Sequence, residues 1–81
     1  MIRKVKKVID GDTFQTYTKV NGSNFIRIAG KNAPELNQFG GKSSAQQLKR
    51  QIQGKNVTIQ PVGRSYGRVV AKVRHNRKLL K

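Results

Sequence analysis

The chain has 81 residues and no cysteine. That leaves room for one small domain with a modest core, and it excludes disulfides, thiolate metal sites and a cysteine nucleophile. Lys and Arg number 18 against 3 Asp and Glu, a net charge of +15 and a pI near 11.4, so the expected partner is a polyanion, nucleic acid foremost, bound by phosphate neutralisation and counterion release. No apolar run approaches the roughly 20 residues of a membrane span, and no segment forms a basic amphipathic helix, so a membrane is not the expected partner. The first residues, Met1-Ile2-Arg3-Lys4-Val5-Lys6-Lys7, lack the apolar stretch of a signal peptide, so the location is left open and is expected to be cytoplasmic if the chain is complete.

Residues 2 to 9 place Val5, Val8 and Ile9 among lysines, a basic strand with an irregularity near Lys6-Lys7. Asp10-Gly11-Asp12 is a turn signal. From Thr13 the sequence alternates, with Phe14, Thr16 and Thr18 on one face and Gln15 and Tyr17 on the other. Asn21-Gly22 then marks a tight hairpin. The strand returning over 25–29 sets Ile26 and Ile28 opposite Phe25 and Arg27. Phe14, Tyr17 and Phe25, at strand spacing, are expected in the core and on the barrel face rather than as a base-stacking platform.

Residues 30 to 41 carry Pro34, Gly40 and Gly41 and read as a loop. Ser43 with Gln46 forms a capping-box pattern. Ala45, Leu48 and Ile52 follow at helical spacing, and Gly54 stands at the C′ position. A short strand over Val57, Thr58 and Ile59 ends at Pro61, Gly63-Arg64-Ser65 makes a turn, and residues 66–74 alternate with Val69, Ala71 and Val73 on one face. The expected organisation is one domain over 1–74 and a basic tail over 75–81. Leu79-Leu80 either docks on the barrel or begins a helix. Five strands with one helix between the third and fourth is the element order of an OB-fold, a Greek-key barrel, so the expected class is mainly β.

Asp10 and Asp12 share one turn and Glu35 follows Pro34 in the loop after the third strand. In a barrel these loops can approach each other, giving a cation site or proton-transfer chemistry; the alternative is that Asp10 and Asp12 simply make a turn. Arg27 and Arg68 each sit in a strand-like run beside apolar neighbours. Each either presents its planar fork to a phosphate or is an edge-strand arginine reaching to water. His75, far in sequence from any acid, reads as solvated or phosphate-contacting. Tyr66 and Phe39, beside loops, are the stacking candidates.

Three segments, Val8-Ile9-Asp10-Gly11-Asp12-Thr13-Phe14, Ile26 through Glu35 (IRIAGKNAPE), and Tyr66-Gly67-Arg68-Val69-Val70-Ala71, together resemble the thermonuclease (staphylococcal nuclease-like) family. Asn37, Gln38, Phe39 and Gly40 resemble its bacterial members. The likeness covers nearly the whole chain, in order. It implies calcium-dependent hydrolysis of DNA and RNA phosphodiesters on an OB-fold barrel; the expected state is a monomer. By position, Asp12 is implied as a calcium ligand with Asp10 supporting, Asn32 as the second side-chain ligand and the Ala33 carbonyl as a further oxygen. Glu35 is implied to orient or deprotonate water, Arg27 and Arg68 to hold the scissile phosphate, and Tyr66 to lie along the nucleotide pocket. Lys31, Arg64 and Phe39 are expected as further nucleic-acid contacts.

The chain departs from the family at Asn32, where Asp is usual, and at Lys31, where an apolar residue is usual. A charge is lost and a repulsion added, so the expectation is weak calcium binding. Arg64 and Ser65 replace an acidic-then-basic pair, and longer members continue with helices beyond the fifth strand. Two further readings follow: a non-catalytic OB-fold nucleic-acid binder on the same scaffold, and a basic ribosome-associated protein, which leaves the carboxylate cluster unexplained.

Overall fold

The structure is a computed structural model and describes residues 1–80. Strands β1 (Ile2–Val8), β2 (Thr13–Val20) and β3 (Ser23–Ile28) form an antiparallel meander, helix α1 spans Gly41–Ile52, and β4 (Asn56–Ser65), β5 (Arg68–His75) and the short β6 (Lys78–Leu79) follow. β1 also pairs with β4, β4 with β5, and β5 returns to pair parallel with β3. The sheet therefore closes on itself through five strands, and the fold is an OB-fold-like barrel with one helix among the described residues. None of the described residues forms a helix long and apolar enough to cross a membrane.

The inward positions follow the period of two. Val5, Phe14, Ile26, Ile28, Val57, Ile59, Val69, Ala71 and Val73 are buried inside the barrel, and Leu48 and Ile52 of α1 join the same core. Alternation breaks in β2: Thr18 is exposed and Val20 buried, because the register of β2 against β3 shifts between Gln15 and Val20. The irregularity expected at Lys6-Lys7 is a register shift of β1 against β2 between Val5 and Lys7. The β2–β3 turn has positive φ at both Asn21 (48°) and Gly22 (85°), the backbone of a two-residue hairpin.

Three local expectations are corrected. First, α1 starts at Gly41 behind a left-handed Gly40 with no side-chain cap, so Ser43 and Gln46 lie inside the helix and make no capping box. Second, β4 does not end at Pro61 but runs to Ser65. Ile59 N–H already meets the Met1 carbonyl, so the outward edge two residues on has no β1 partner, and a proline without an N–H costs no ladder bond there. Third, the turn after β4 is not 63–65, which lie in the strand, but Tyr66-Gly67, both at positive φ (51° and 77°).

The boundary expected at residue 74 falls inside β5, and the chain beyond it turns back: Arg74 pairs with Leu79 and His75 with Lys78. Leu80 packs against the core, so of the two fates read for Leu79-Leu80 the structure takes docking on the barrel. Lys81, the last residue of the expected tail, lies outside the described residues.

Candidate active site

The Asp10-Gly11-Asp12 turn enters β2 at the end of the barrel where β3 leaves it. Ile9 N–H and Asp10 N–H both donate to the Thr13 carbonyl, and the Ile28 N–H donates to the Asp12 carbonyl at 2.7 Å. Asp10 Oδ1 accepts the Asp12 N–H, closing an Asx turn. The turn lies against the loop and helix that follow β3: a Cβ on Gly11 would stand 2.6 Å from both Ala33 Cβ and Ser44 Cβ. Only glycine permits that approach.

Asp12 is the hub. Its side chain is 10% exposed, and both oxygens are engaged. Oδ1 accepts from the Thr13 hydroxyl (3.1 Å), and Oδ2 accepts from the Ala33 N–H (3.3 Å) and faces Arg27 Nη2 at 3.5 Å. The same Arg27 nitrogen donates to Asn32 Oδ1 at 3.1 Å. Arg68 joins from β5, donating Nη1 to the Thr13 hydroxyl oxygen at 3.3 Å. Asp10, Asp12, Arg27, Asn32, Ala33 and Arg68 thus form one connected group through Thr13, a buried residue that sequence reading passed over; its place directly after Asp12 was the available signal.

Electrostatics separate the two aspartates. Burial pushes Asp10 above the ordinary carboxylate range, reinforced by its hydrogen bond to Asp12 and the Asp12 charge. Burial also pushes Asp12 upward, but hydrogen bonds from Asp10, the Ala33 N–H and the Thr13 hydroxyl, with the Arg27 charge, outweigh it and hold Asp12 low. Asp12 is the more acidic of the two, and Asp10 takes a proton first as pH falls. Lys31 is lowered by burial, partly offset by Asp12.

Glu35 stands apart. Its side chain is exposed and, among the described residues, makes no hydrogen bond or ion pair. Its backbone is tightly held: its N–H donates to Gln38 Oε1, its carbonyl accepts the Gln38 N–H, and the Gln38 carbonyl accepts the Gly41 N–H. A Cβ on Gly41 would overlap the Glu35 carbonyl oxygen, so the loop is pressed onto the start of α1. Gln38 and Gly41 are loop-setting residues that sequence analysis had not assigned to the site. Beside this loop, Val8, Ile9, Leu36 and Ala45, flanked by Lys7 and Lys42, line a groove of about 420 Å³.

The remaining candidates lie elsewhere. Tyr66 projects from the β4–β5 turn, 95% exposed, and Phe39 is fully exposed ahead of α1. Arg64 donates Nη1 to the Asn21 carbonyl at 2.7 Å, tying the β4–β5 arm to the β2–β3 hairpin rather than to Asp12. Tyr66 and Asp12 therefore sit at opposite ends of β3, whose length is about 17 Å.

With this geometry in place, comparison with known proteins adds one finding. The chain is 38% identical over 71 residues to a Haemophilus influenzae protein named an uncharacterized endonuclease, a match covering 86% of this chain and 40% of that protein. The chain thus spans well under half the length of that curated relative. No family model matches the chain.

Proposed function

We propose that the chain is a metal-assisted phosphodiesterase of the thermonuclease type, cleaving DNA or RNA at the Asp12–Arg27–Arg68 cluster. The observation that carries this reading is the union of a buried carboxylate hub with two arginines from different strands, joined through Thr13. A structural ion pair needs one arginine; two forks converging on one outer face suit an anion with several oxygens, such as a phosphate. The similarity to a protein named as an endonuclease supports the same reading.

The donor set suits a hard divalent cation. Asp10 and Asp12 hold two carboxylates within one hydrogen-bonded turn, an arrangement whose like-charge repulsion a cation relieves. Asp12, Asn32 and the Ala33 carbonyl would hold calcium with Asp10 supporting, and the ion would supply Lewis-acid stabilisation of charge on the phosphate oxygens. Arg27 and Arg68 bind and orient the phosphate. Glu35, with its backbone fixed and its carboxylate free, takes a proton from the attacking water.

A non-catalytic nucleic-acid binder is the second reading, favoured by the Arg27 guanidinium lying on both Asp12 and Asn32, where it already serves as the counter-cation. Cleavage of a single-stranded oligonucleotide with added calcium, with chelator, and by Glu35→Gln separates the two. Calcium-dependent cleavage lost in both controls supports the hydrolase. Binding without cleavage at saturating calcium establishes the binder.

A further inference from the structure

Three two-residue turns join paired strands in this barrel, and one of them is built differently. Asn21-Gly22 joins β2 to β3 and Tyr66-Gly67 joins β4 to β5, each with a glycine at the second left-handed position. Asn76-Arg77 joins β5 to β6 with the same backbone, φ 52° at Asn76 and 66° at Arg77, but an arginine stands where the other two turns have glycine. A left-handed backbone costs free energy for a residue with a Cβ, and asparagine tolerates it better than arginine does. Nothing the Arg77 side chain touches offsets that cost: it is exposed and, among the described residues, makes no hydrogen bond or ion pair. Strain held at a free cation points to a partner outside the chain.

The surroundings of this turn have the chemistry of phosphate contacts. Lys72 and Arg74 are exposed on one face of β5, and Lys78, opposite His75, is exposed on β6. Behind the hairpin, Lys31, Gln47, Gln51 and Lys78, with Leu79 and Leu80, line a cleft of about 360 Å³ between α1 and β6. Gln47 and Gln51 stand one helical turn apart, so both amides serve the same cleft. Lys31 brings the cleft to the edge of the site, since it follows β3 and feels the Asp12 charge. None of the exposed rings, Tyr17, Phe25, Phe39 and Tyr66, lies on the hairpin or in the cleft. Ammonium, guanidinium and amide N–H groups without rings suit a nucleic-acid backbone rather than its bases.

We propose that the β5–β6 hairpin and the α1–β6 cleft behind it form a phosphate-binding arm, with Arg77 at its tip, that grips a nucleic-acid backbone at a distance from the Asp12–Arg27–Arg68 cluster. The proposal rests on the nucleic-acid reading for the class of polyanion, and not on cleavage. Ala71 is level with Ile28 at the site end of β3, and His75 lies four residues further along β5, about 13 Å away. The arm therefore meets phosphates several nucleotides from the site. An anionic membrane, the other polyanionic surface, is held by apolar anchors beside the charges, and Asn76, Arg77 and Lys78 at the tip supply none.

The test is binding of labelled oligonucleotides in chelator across a salt series, with thermal melting alongside, for the wild type, Arg77→Gly, Arg77→Lys and Lys78→Gln. Arg77→Gly is expected to move stability and affinity in opposite directions. It relieves the left-handed arginine and should melt about 5 °C higher. Its affinity for a strand of about twelve nucleotides should fall roughly tenfold at about 0.1 M salt, and the salt slope should shrink by about one. The loss should be alike for single-stranded and duplex forms, and absent for a dinucleotide, which cannot reach from the site to the arm. Arg77→Lys keeps both the charge and the strain and should match the wild type, while Lys78→Gln should weaken binding without changing the melt. Unchanged affinity in Arg77→Gly, or stability and affinity falling together, overturns the arm. So does a loss seen only with phosphatidylserine vesicles, which would assign the hairpin to a membrane surface. Absence of cleavage by the wild type, with the Arg77-dependent binding intact, would sink the hydrolase reading and leave the arm standing.

Discussion

The two acidic segments of the barrel are built in opposite ways. The Asp10–Asp12 turn fixes its side chains: Asp12 has both oxygens engaged and Asp10 caps its neighbour's N–H. The Glu35 loop fixes its backbone and leaves the carboxylate free, with the chain clamped by Gln38 and pressed against Gly41. The difference fits two kinds of work. A group that holds a cation gains from being set in place beforehand, while one that accepts a proton from a mobile water needs a fixed anchor and a free tip.

The sharpest way to break this contrast is at the arginine that touches only one side of it. Arg27→Ala is expected to lower cleavage about 100-fold or more, the scale of losing one donor to a developing negative charge. By releasing Asp12 and Asn32, the same change should not weaken calcium binding. Single-turnover rates and calorimetric titration read the two effects separately, and parallel losses in both would make Arg27 a scaffold for the carboxylates instead. Next in size is Gly41→Ala. Its new Cβ must displace the Glu35 carbonyl, which is expected to cost about 1–3 kcal/mol of stability in chemical denaturation. Moving the Glu35 anchor should also lower turnover about 100-fold, while calcium affinity at the rigid turn stays as it was.

This contrast also marks how far the sequence could be read. The barrel was legible because its inward positions keep a period of two and because Asn21-Gly22 and Gly54 occupy backbone conformations that few other residues take. Pro61 misled, since a proline ends a strand only where its missing N–H would have had a partner, and that depends on how far β1 extends. Ser43 misled for a similar reason: the helix start is set by the Glu35 loop resting on Gly41, a contact that capping residues do not encode. At the site, Asp12, Arg27 and Arg68 could be nominated by type and position, and Asn32 only through the resemblance to the thermonuclease family. That Arg27 bridges Asp12 and Asn32, and that Thr13 links Asp12 to Arg68, depends on side-chain directions that only the closed barrel supplies.

A smaller effect tests the rigid side by itself. Asn32→Asp places a second full charge opposite Arg27 and near Asp12, and is expected to tighten calcium about tenfold, the order of one added charged ligand in a site of this kind. Unchanged affinity in a titration would remove residue 32 from the ligand set and leave it as a partner of Arg27 alone.

The smallest effect concerns the proton on Asp10. Because its folded pKa is raised, the folded state holds this proton more firmly than the unfolded chain does. The stability it contributes is present below the unfolded pKa and is lost as pH rises through the folded one. Asp12 has the opposite sign: its folded pKa is lowered, so its contribution is present above the unfolded pKa and is lost as pH falls through the folded value. In chelator the Asp10 contribution should therefore appear as pH falls through its folded pKa, and the Asp12 contribution should be lost as pH falls further, through the lower folded pKa of Asp12. Asp10→Asn keeps an oxygen to accept the Asp12 N–H but removes the charge, so the first limb should vanish and the second remain. At neutral pH the variant should melt about 2 °C higher, the scale of a few tenths of a kcal/mol at a partly exposed site. With calcium present the ranking should reverse, since the charge that burdens the free protein is the one a cation uses. A variant that melts lower in both conditions would show that the two carboxylates do not repel each other, and the cation reading of the turn would lose its physical basis.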